Sequence, residues 1–330
     1  MVKYIVKRIL YSILVLLLVS MIIYGLVRAL PNDYIDNKLF PMLEQGTVSE
    51  EDILRMKELY GLADNSFLGI VKGYFGWLGN ALKGDLGVSF KYSAPVSEVI
   101  GESMWVSFLI ALIAYILVYL IAIPLGIKSA VNQYSALDYS ITTFTMIGIS
   151  LPSFFLATVL IKIFAVDLGW FPQQGLESAM SMATGIQRLL DQIYHCILPM
   201  LTLVVLSIGG TMRYTRTNTL EVLNADYIRT ARAKGLSEKS VIYKHVFRNT
   251  MIPLVTMMAG VLPSLFGGAM ILEQVFALPG IGQKAYAALT VGDIPFIMGY
   301  EMFLAILAVI GTLFSDIAYV LVDPRIKLDR

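Results

Sequence analysis

The chain is 330 residues long, 57% hydrophobic and 15% charged, with a formal net charge of +1, whereas an ordinary soluble domain carries about 25% charged residues. Its mean hydropathy of +0.72 leaves too little polar surface to face water on every side, which excludes a conventional soluble domain. A single cysteine, Cys196, and two histidines, His195 and His245, exclude a disulfide framework and argue against a Cys/His metal site.

The N-terminal stretch MVKYIVKRILYSILVLLLVSMIIYGLVRAL joins a basic start to an apolar run from Ile9 to Val27. That run is nearer bilayer length than a signal-peptide core, and no small-residue cleavage pattern follows before Leu30 and Pro31, so it is read as a retained transmembrane helix. A helix rises about 1.5 Å per residue, so about 20 apolar residues cross the hydrocarbon layer. Stretches of this kind run over 9–30, 105–127, 141–166, 197–212, 251–272 and 299–322. Inside lipid every backbone N–H and C=O must be satisfied within its own segment, which makes these runs helices. The expected fold class is therefore all-α, a polytopic membrane protein with six transmembrane helices.

Lys and Arg near span ends stay on the cytoplasmic side. With both termini cytoplasmic, Lys3, Lys7, Arg8, Lys128, Arg213, Arg216, Arg229, Arg232, Lys234, Lys239, Lys244, Arg248, Arg325, Lys327 and Arg330 all fall there. The segment between the first two spans is instead rich in acids, among them Asp33, Glu44, Glu50, Glu51, Asp52 and Glu58. The expected division is an N-terminal transmembrane helix at 1–30, an external cap region at 31–101, and a core of five spans at 102–330 that carries a cytoplasmic loop at 217–250. Within the cap, Ser49 precedes acidic residues, and Ile53, Met56 and Leu59 or Tyr60 recur at helical spacing, which marks a short helix. A second outer segment, 169–195, opens with the turn-rich GWFPQQG, and its SMATGIQRLLDQIY is read as a short helix lying along the outer surface.

The cytoplasmic stretch DYIRTARAKGLSEKSVIYKHVFRNTMIP, residues 226–253, is the most polar part of the core. Leu220, Leu223, Tyr227 and Ala231 recur at three- and four-residue intervals and form one apolar stripe. Gly235 then stops the helix with Lys234 in its last turn, and Ser237 caps a second helix bearing Val241, Ile242 and Val246. On periodicity alone such a loop equally suits binding to anionic headgroups.

The order of residues points further. TARAKG followed by KHVFRNTMIP resembles the EAA-type loop of bacterial ABC-importer permeases, in the form used by the oligopeptide, dipeptide and nickel permease family, peptide branch. KGDLGVSF (83–90), SLPSFFLA (150–157), EQVFALPGIG (273–282) and VDPRIK (322–327) match further patterns of that family, so the resemblance extends from the first span to the C-terminus. Arg229 and Thr230 stand where other importer families have the Glu and first Ala, a substitution the peptide branch itself shares.

The resemblance implies a type I ABC importer permease fold in the bacterial cytoplasmic membrane. It implies a coupling helix seated in a cleft of an ATPase subunit, with Arg229, Thr230, Ala231, Arg232, Ala233, Lys234, Gly235 and Leu236 at the contact, and Arg229 and Arg232 as electrostatic partners. It further implies a second homologous permease subunit, two ABC ATPase subunits that bind ATP and Mg, and an external substrate-binding protein docking on the outer segments. Peptide is then the expected substrate, with no cofactor in this chain and no nucleic acid partner.

No G-x-x-x-x-G-K-[ST] phosphate loop, HExxH or G-x-S-x-G motif occurs in the sequence, so no catalytic or metal residues are assigned. Ionisable residues inside spans are costly and often functional. Lys162 reads as a snorkelling side chain near an outer end, while Asp316 either pairs with a cation or lines the pathway. Glu273, with Pro279 and Gly280 beyond it, is a candidate pathway or gate position, although the carboxylate equally suits capping of local backbone. The competing readings are an importer of nickel or another small solute, for which histidine is scarce, and an intramembrane enzyme, for which Asp316 lacks a second aspartate or a base nearby.

Overall fold

The computed structural model describes residues 2–29, 35, 41, 43–46, 48–59, 64, 66–178, 184–257 and 260–322. Among these, every regular element is helical; an isolated bridge pairs Val88 with Pro95. Helix α1 (Val2–Arg28) is followed by two shorter helices, α2 (Glu50–Leu59) and α3 (Phe67–Ala81). Ser49 caps α2 reciprocally: Asp52 N donates to Ser49 Oγ at 3.2 Å, and Ser49 N donates to Asp52 Oδ2 at 3.1 Å.

The long helices α4 (Val96–Val131) and α7 (Ile186–Leu223) form the centre of the bundle. Ala114, Val118 and Ala122 of α4 pack against Val204, Ile208 and Met212 of α7. Small side chains let the two backbones close: a Cβ on Gly126 would stand 2.8 Å from the Met212 carbonyl oxygen. The sequence GIQRLLDQIY is not a separate surface helix. It forms the first turns of α7, because no breaker stands between Ile186 and the apolar run.

The third expected span is bent. Helix α5 (Ala136–Ser150) ends at Leu151, whose φ of −83° and ψ of 134° are the extended values that a following proline imposes. Helix α6 (Ser153–Leu160) then departs at 104° and widens into a π-helical stretch over Ile161–Asp167. In the fifth span, α9 (Glu238–Ser240) runs through a π-helical stretch (Val241–Val246) into α10 (Phe247–Met257). Helices α11 (Val261–Gly267) and α12 (Met270–Val275) continue with a bend of 48°. The chain closes with α13 (Ile281–Val291) and α14 (Ile294–Val322). Among the described residues four helices are long and apolar enough to cross a membrane, or up to six spans if each bent pair counts as one. This is a multi-pass, all-helical membrane protein.

Candidate functional site

The C-terminal end of α7 leads into α8 (Asp226–Ala233), whose polar side is exposed. The stripe expected from spacing is redrawn here, because α7 stops at Leu223 and restarts the helical phase at Asp226. Tyr227 is exposed, and the buried residues are Ile228 and Ala231, which pack on Val241 and Val246 with Val222 and Leu223 alongside. Gly235 has φ +77°, the left-handed turn that only glycine adopts without strain. Ser237 caps the next helix by accepting from Ser240 N at 3.4 Å.

Arg229, Thr230, Arg232, Ala233, Lys234, Gly235 and Leu236 are all exposed, whereas Ala231 faces the interior. Arg229 lies 3.7 Å from Asp226 and leaves its guanidinium largely in solvent. Arg232 is held in a two-pronged contact with Glu238, Nη2 to Oε1 at 2.6 Å and Nε to Oε2 at 3.1 Å. That pair spans the Gly235 turn and braces the two sides of the loop against each other.

Two turns above α8 lies a cluster that the sequence did not single out. Asp138, at the start of α5, is buried, and Arg216 of α7 donates to both of its oxygens at 2.8 Å. Ser129 of α4 donates to the same carboxylate, and Tyr134 N donates to Oδ2 at 3.0 Å. One carboxylate thereby ties the C-terminal end of α4, the start of α5 and the last turns of α7. Arg216 and Asp138 stand 78 positions apart, so no spacing rule could reveal the pair.

Glu273 is also buried, and its carboxylate faces local donors on both sides. Oε1 accepts from Ser107 Oγ at 2.7 Å and from Ala269 N at 3.2 Å, while Oε2 accepts from Gln283 N at 2.8 Å. Ser107 Oγ in turn accepts from Ile281 N at 2.9 Å. A Cβ on Gly280 would stand 2.4 Å from Oε2, so this turn tolerates nothing larger than glycine. Gly280 is buried and Pro279 exposed. The carboxylate is therefore committed to pinning the α12–α13 turn onto α4.

Beside Glu273 a cavity of about 270 Å³ runs between α4, α7 and α11, with Ser107, Tyr115, Pro199, Ser207 and Ser264 among its lining. It presents hydroxyls and one aromatic ring on an otherwise apolar wall. Asp316 lies on α14, and its side chain falls outside the described residues, as does the VDPRIK segment beyond Val322.

The loops that precede α4 and α7 lock onto the same region. Gly175 N donates to the Phe276 carbonyl oxygen at 2.8 Å, and Gln174 Nε2 donates to that of Val275 at 3.2 Å. On the other flank Asp293 is fully buried and accepts from Ser89 Oγ at 2.5 Å and Lys91 N at 3.0 Å, which anchors KGDLGVSF to the start of α14. Tyr92 Oη donates to the Lys284 carbonyl oxygen at 3.0 Å. Burial, with the Asp293 charge adding to it, pushes that phenol up to about 12, so it remains a donor at neutral pH. Near the opposite rim, Lys162 is exposed and pairs with Asp167.

The description "binding-protein-dependent transport system inner membrane component" matches residues 122–328. The chain is 38% identical to the oligopeptide transport system permease protein AppB of Bacillus subtilis (strain 168), over 99% of this chain and 100% of that protein. It is 35% identical to a putative peptide transport system permease protein of Brucella abortus (strain 2308), over 98% of this chain and 99% of that protein. The corresponding figures for the oligopeptide transport system permease protein OppB of Haemophilus influenzae are 30%, 99% and 100%. Among solved structures, inward facing conformations of the MetNI methionine ABC transporter include a chain that superposes with a TM-score of 0.51. That alignment covers 68% of this chain and 96% of the other at 19% identity, a likeness of fold alone. Matched across its whole length by such relatives, the chain belongs to the family of binding-protein-dependent transport system inner membrane components.

Proposed function

We propose that this chain is the permease subunit of an ATP-driven ABC importer and forms half of the pathway for peptides delivered by an external substrate-binding protein. The observation that carries this reading is the end-to-end similarity to proteins named as oligopeptide and peptide permeases. Counting each bent helix pair as one span gives six crossings with both termini in the cytoplasm of a bacterial cell, a topology that puts the basic α8 loop inside.

In this arrangement α8 seats on an ATPase subunit that holds ATP and Mg. Arg229, exposed beside Asp226, and Lys234 offer positive charge to an acidic cleft, and the Ile228 and Ala231 side fixes the helix to the bundle. A second homologous permease faces the α4–α7–α11 cavity and closes the pathway. Residues 169–178 and the acidic α2 receive the binding protein. ATP biases the bundle through contacts that differ between its two states, which a rigidly mounted helix transmits.

The test is uptake into vesicles that hold the purified permease pair and ATPases with ATP on the ATPase side. Accumulation of a labelled oligopeptide that requires the binding protein is the expected result. Accumulation of nickel but not peptide, or uptake indifferent to the binding protein, would overturn the reading.

A further inference from the structure

Helix α3 belongs to the region expected outside the membrane, yet its contacts lie along the hydrophobic length of α1. Tyr74 Oη donates to the Leu17 carbonyl oxygen at 3.1 Å and lies 2.9 Å from Ser20 Oγ. Leu17 precedes Arg28, the basic residue that ends α1, by eleven positions, about 16 Å of helix, where half the hydrocarbon layer is about 15 Å. The Tyr74 hydroxyl therefore sits near mid-bilayer depth, and its Cα lies no farther from that depth than a tyrosine side chain reaches.

Ring contacts hold α3 along the same stretch, Tyr24 to Tyr74 at 5.8 Å and Tyr24 to Trp77 at 6.4 Å between centroids. The other end of α3 is level with the close of α1, because Arg28 Nη2 donates to the Asp64 carbonyl oxygen at 3.0 Å. Beyond Tyr74 the helix does not continue down α1, since Trp77 and Leu78 pack with Tyr24 against Ile294 and Ile297 at the start of α14; α3 starts level with the close of α1 and runs obliquely across it. The buried Tyr74 hydroxyl is satisfied within the α1–α3 contact by Ser20 and the Leu17 carbonyl, with no need of water.

The face of α3 turned away from α1 is apolar apart from Lys72, which falls between Leu68 and Phe75. Leu68 is 77% exposed, Phe75 63% and Leu82, just past the helix, 80%, and their spacing puts all three on one stripe. A helix apolar on every side belongs in a core or a membrane. Lys72 is the sole charge within α3. Asp64 is held below the usual carboxylate range first by hydrogen bonds from Ser66, and further by the charges of Arg28 and Lys72. Lys72 lies in the second turn of α3, so its long side chain can carry the ammonium back toward the helix start at the surface, as a snorkelling lysine does. The outward face of α1 continues the surface with exposed Leu14, Leu18, Met21 and Ile22.

We propose that α3 is embedded in the outer half of the bilayer, beside the first span, with its Leu68, Phe75 and Leu82 stripe covered by lipid acyl chains. At 15 residues, about 22 Å, it is too short to cross. It dips in and returns, giving the N-terminal span a second hydrophobic wall. This inference rests on α1 being transmembrane and stands independently of the transported solute.

The test uses nitroxide labels on the assembled complex in phosphatidylethanolamine and phosphatidylglycerol vesicles, in a Cys196→Ser background. Phe75→Cys and Leu82→Cys report the stripe, Ile22→Cys serves as the lipid reference, and Glu51→Cys as the water reference. Collisions with oxygen and with a neutral nickel chelate are compared at each site. The expected result is a high oxygen-to-nickel ratio at positions 75 and 82, equal to that at position 22 and reversed at position 51. Nickel access at position 75 or 82 like that at position 51 would put α3 in water and overturn the proposal. Low access to both reagents would put another protein on the stripe, which overturns it as well.

Discussion

A buried carboxylate is costly unless donors surround it, and Glu273 is surrounded on both oxygens by Ser107 Oγ, Ala269 N and Gln283 N. Removing the acceptor strands those donors at about 1–3 kcal/mol each. Glu273→Ala is expected to lower the melting temperature of the purified complex, and Glu273→Gln to do so as well, since one oxygen becomes an NH₂ facing an N–H or O–H donor. Gly280→Ala should be at least as damaging, because its methyl would enter the space of Oε2 and of Ser107 Oγ. Thermal unfolding of the three variants, followed by loss of the monodisperse complex, checks this; unchanged melting would show that the turn is not held in this way. The ALPGIG motif made the position of Glu273 legible from sequence, and local capping was one of the two roles it suggested. The main side-chain partner, Ser107, lies 166 positions away and gives no local signal.

At the scale of elements, the C-terminal end of α4, the start of α5 and the last turns of α7 are joined by Ser129, Asp138 and Arg216. Breaking one member of a buried pair leaves an uncompensated charge and costs about 3–5 kcal/mol, while removing both is far milder. Asp138→Ala and Arg216→Ala should each destabilise the complex by amounts of that order, and the double variant should recover much of the loss. Strict additivity in a double-mutant cycle would contradict the clamp. Ile228→Ala, a truncation of a fully buried side chain under α8, is expected to cost about 2–5 kcal/mol locally. ATP hydrolysis should persist in that variant while peptide uptake per ATP falls; an unchanged ratio would show that α8 needs no such anchor. The long helices α1, α4, α7 and α14 were legible from apolar length alone, and Gly235 and Ser237 declared their caps. The bend after Ser150 was written in Leu151-Pro152 and missed, because the apolar run continues unbroken through the proline. Tyr227 was placed on the inner stripe because the break between α7 and α8 shifts the helical phase, a change that spacing cannot show.

At the scale of the whole molecule, the exposed α8 loop, the cavity along α4 and the turn pinned by Glu273 lie along one bundle that shares the Arg216–Asp138 clamp. On the proposed function, such a bundle would pass on a push at α8 as a rigid-body motion. Coupling between ATPase and pathway is therefore the central claim, and the Gly235 turn is where it is most exposed to attack. At φ +77° a proline cannot be accommodated, since its ring fixes φ near about −65°. The most direct measurement is the stimulation of ATP hydrolysis by peptide-loaded binding protein in reconstituted complexes with the native chain or with Gly235→Pro. The expected result is an assembled variant complex whose hydrolysis no longer responds to the loaded binding protein and whose peptide uptake is lost. Stimulation and uptake equal to the native complex would contradict the role assigned to α8.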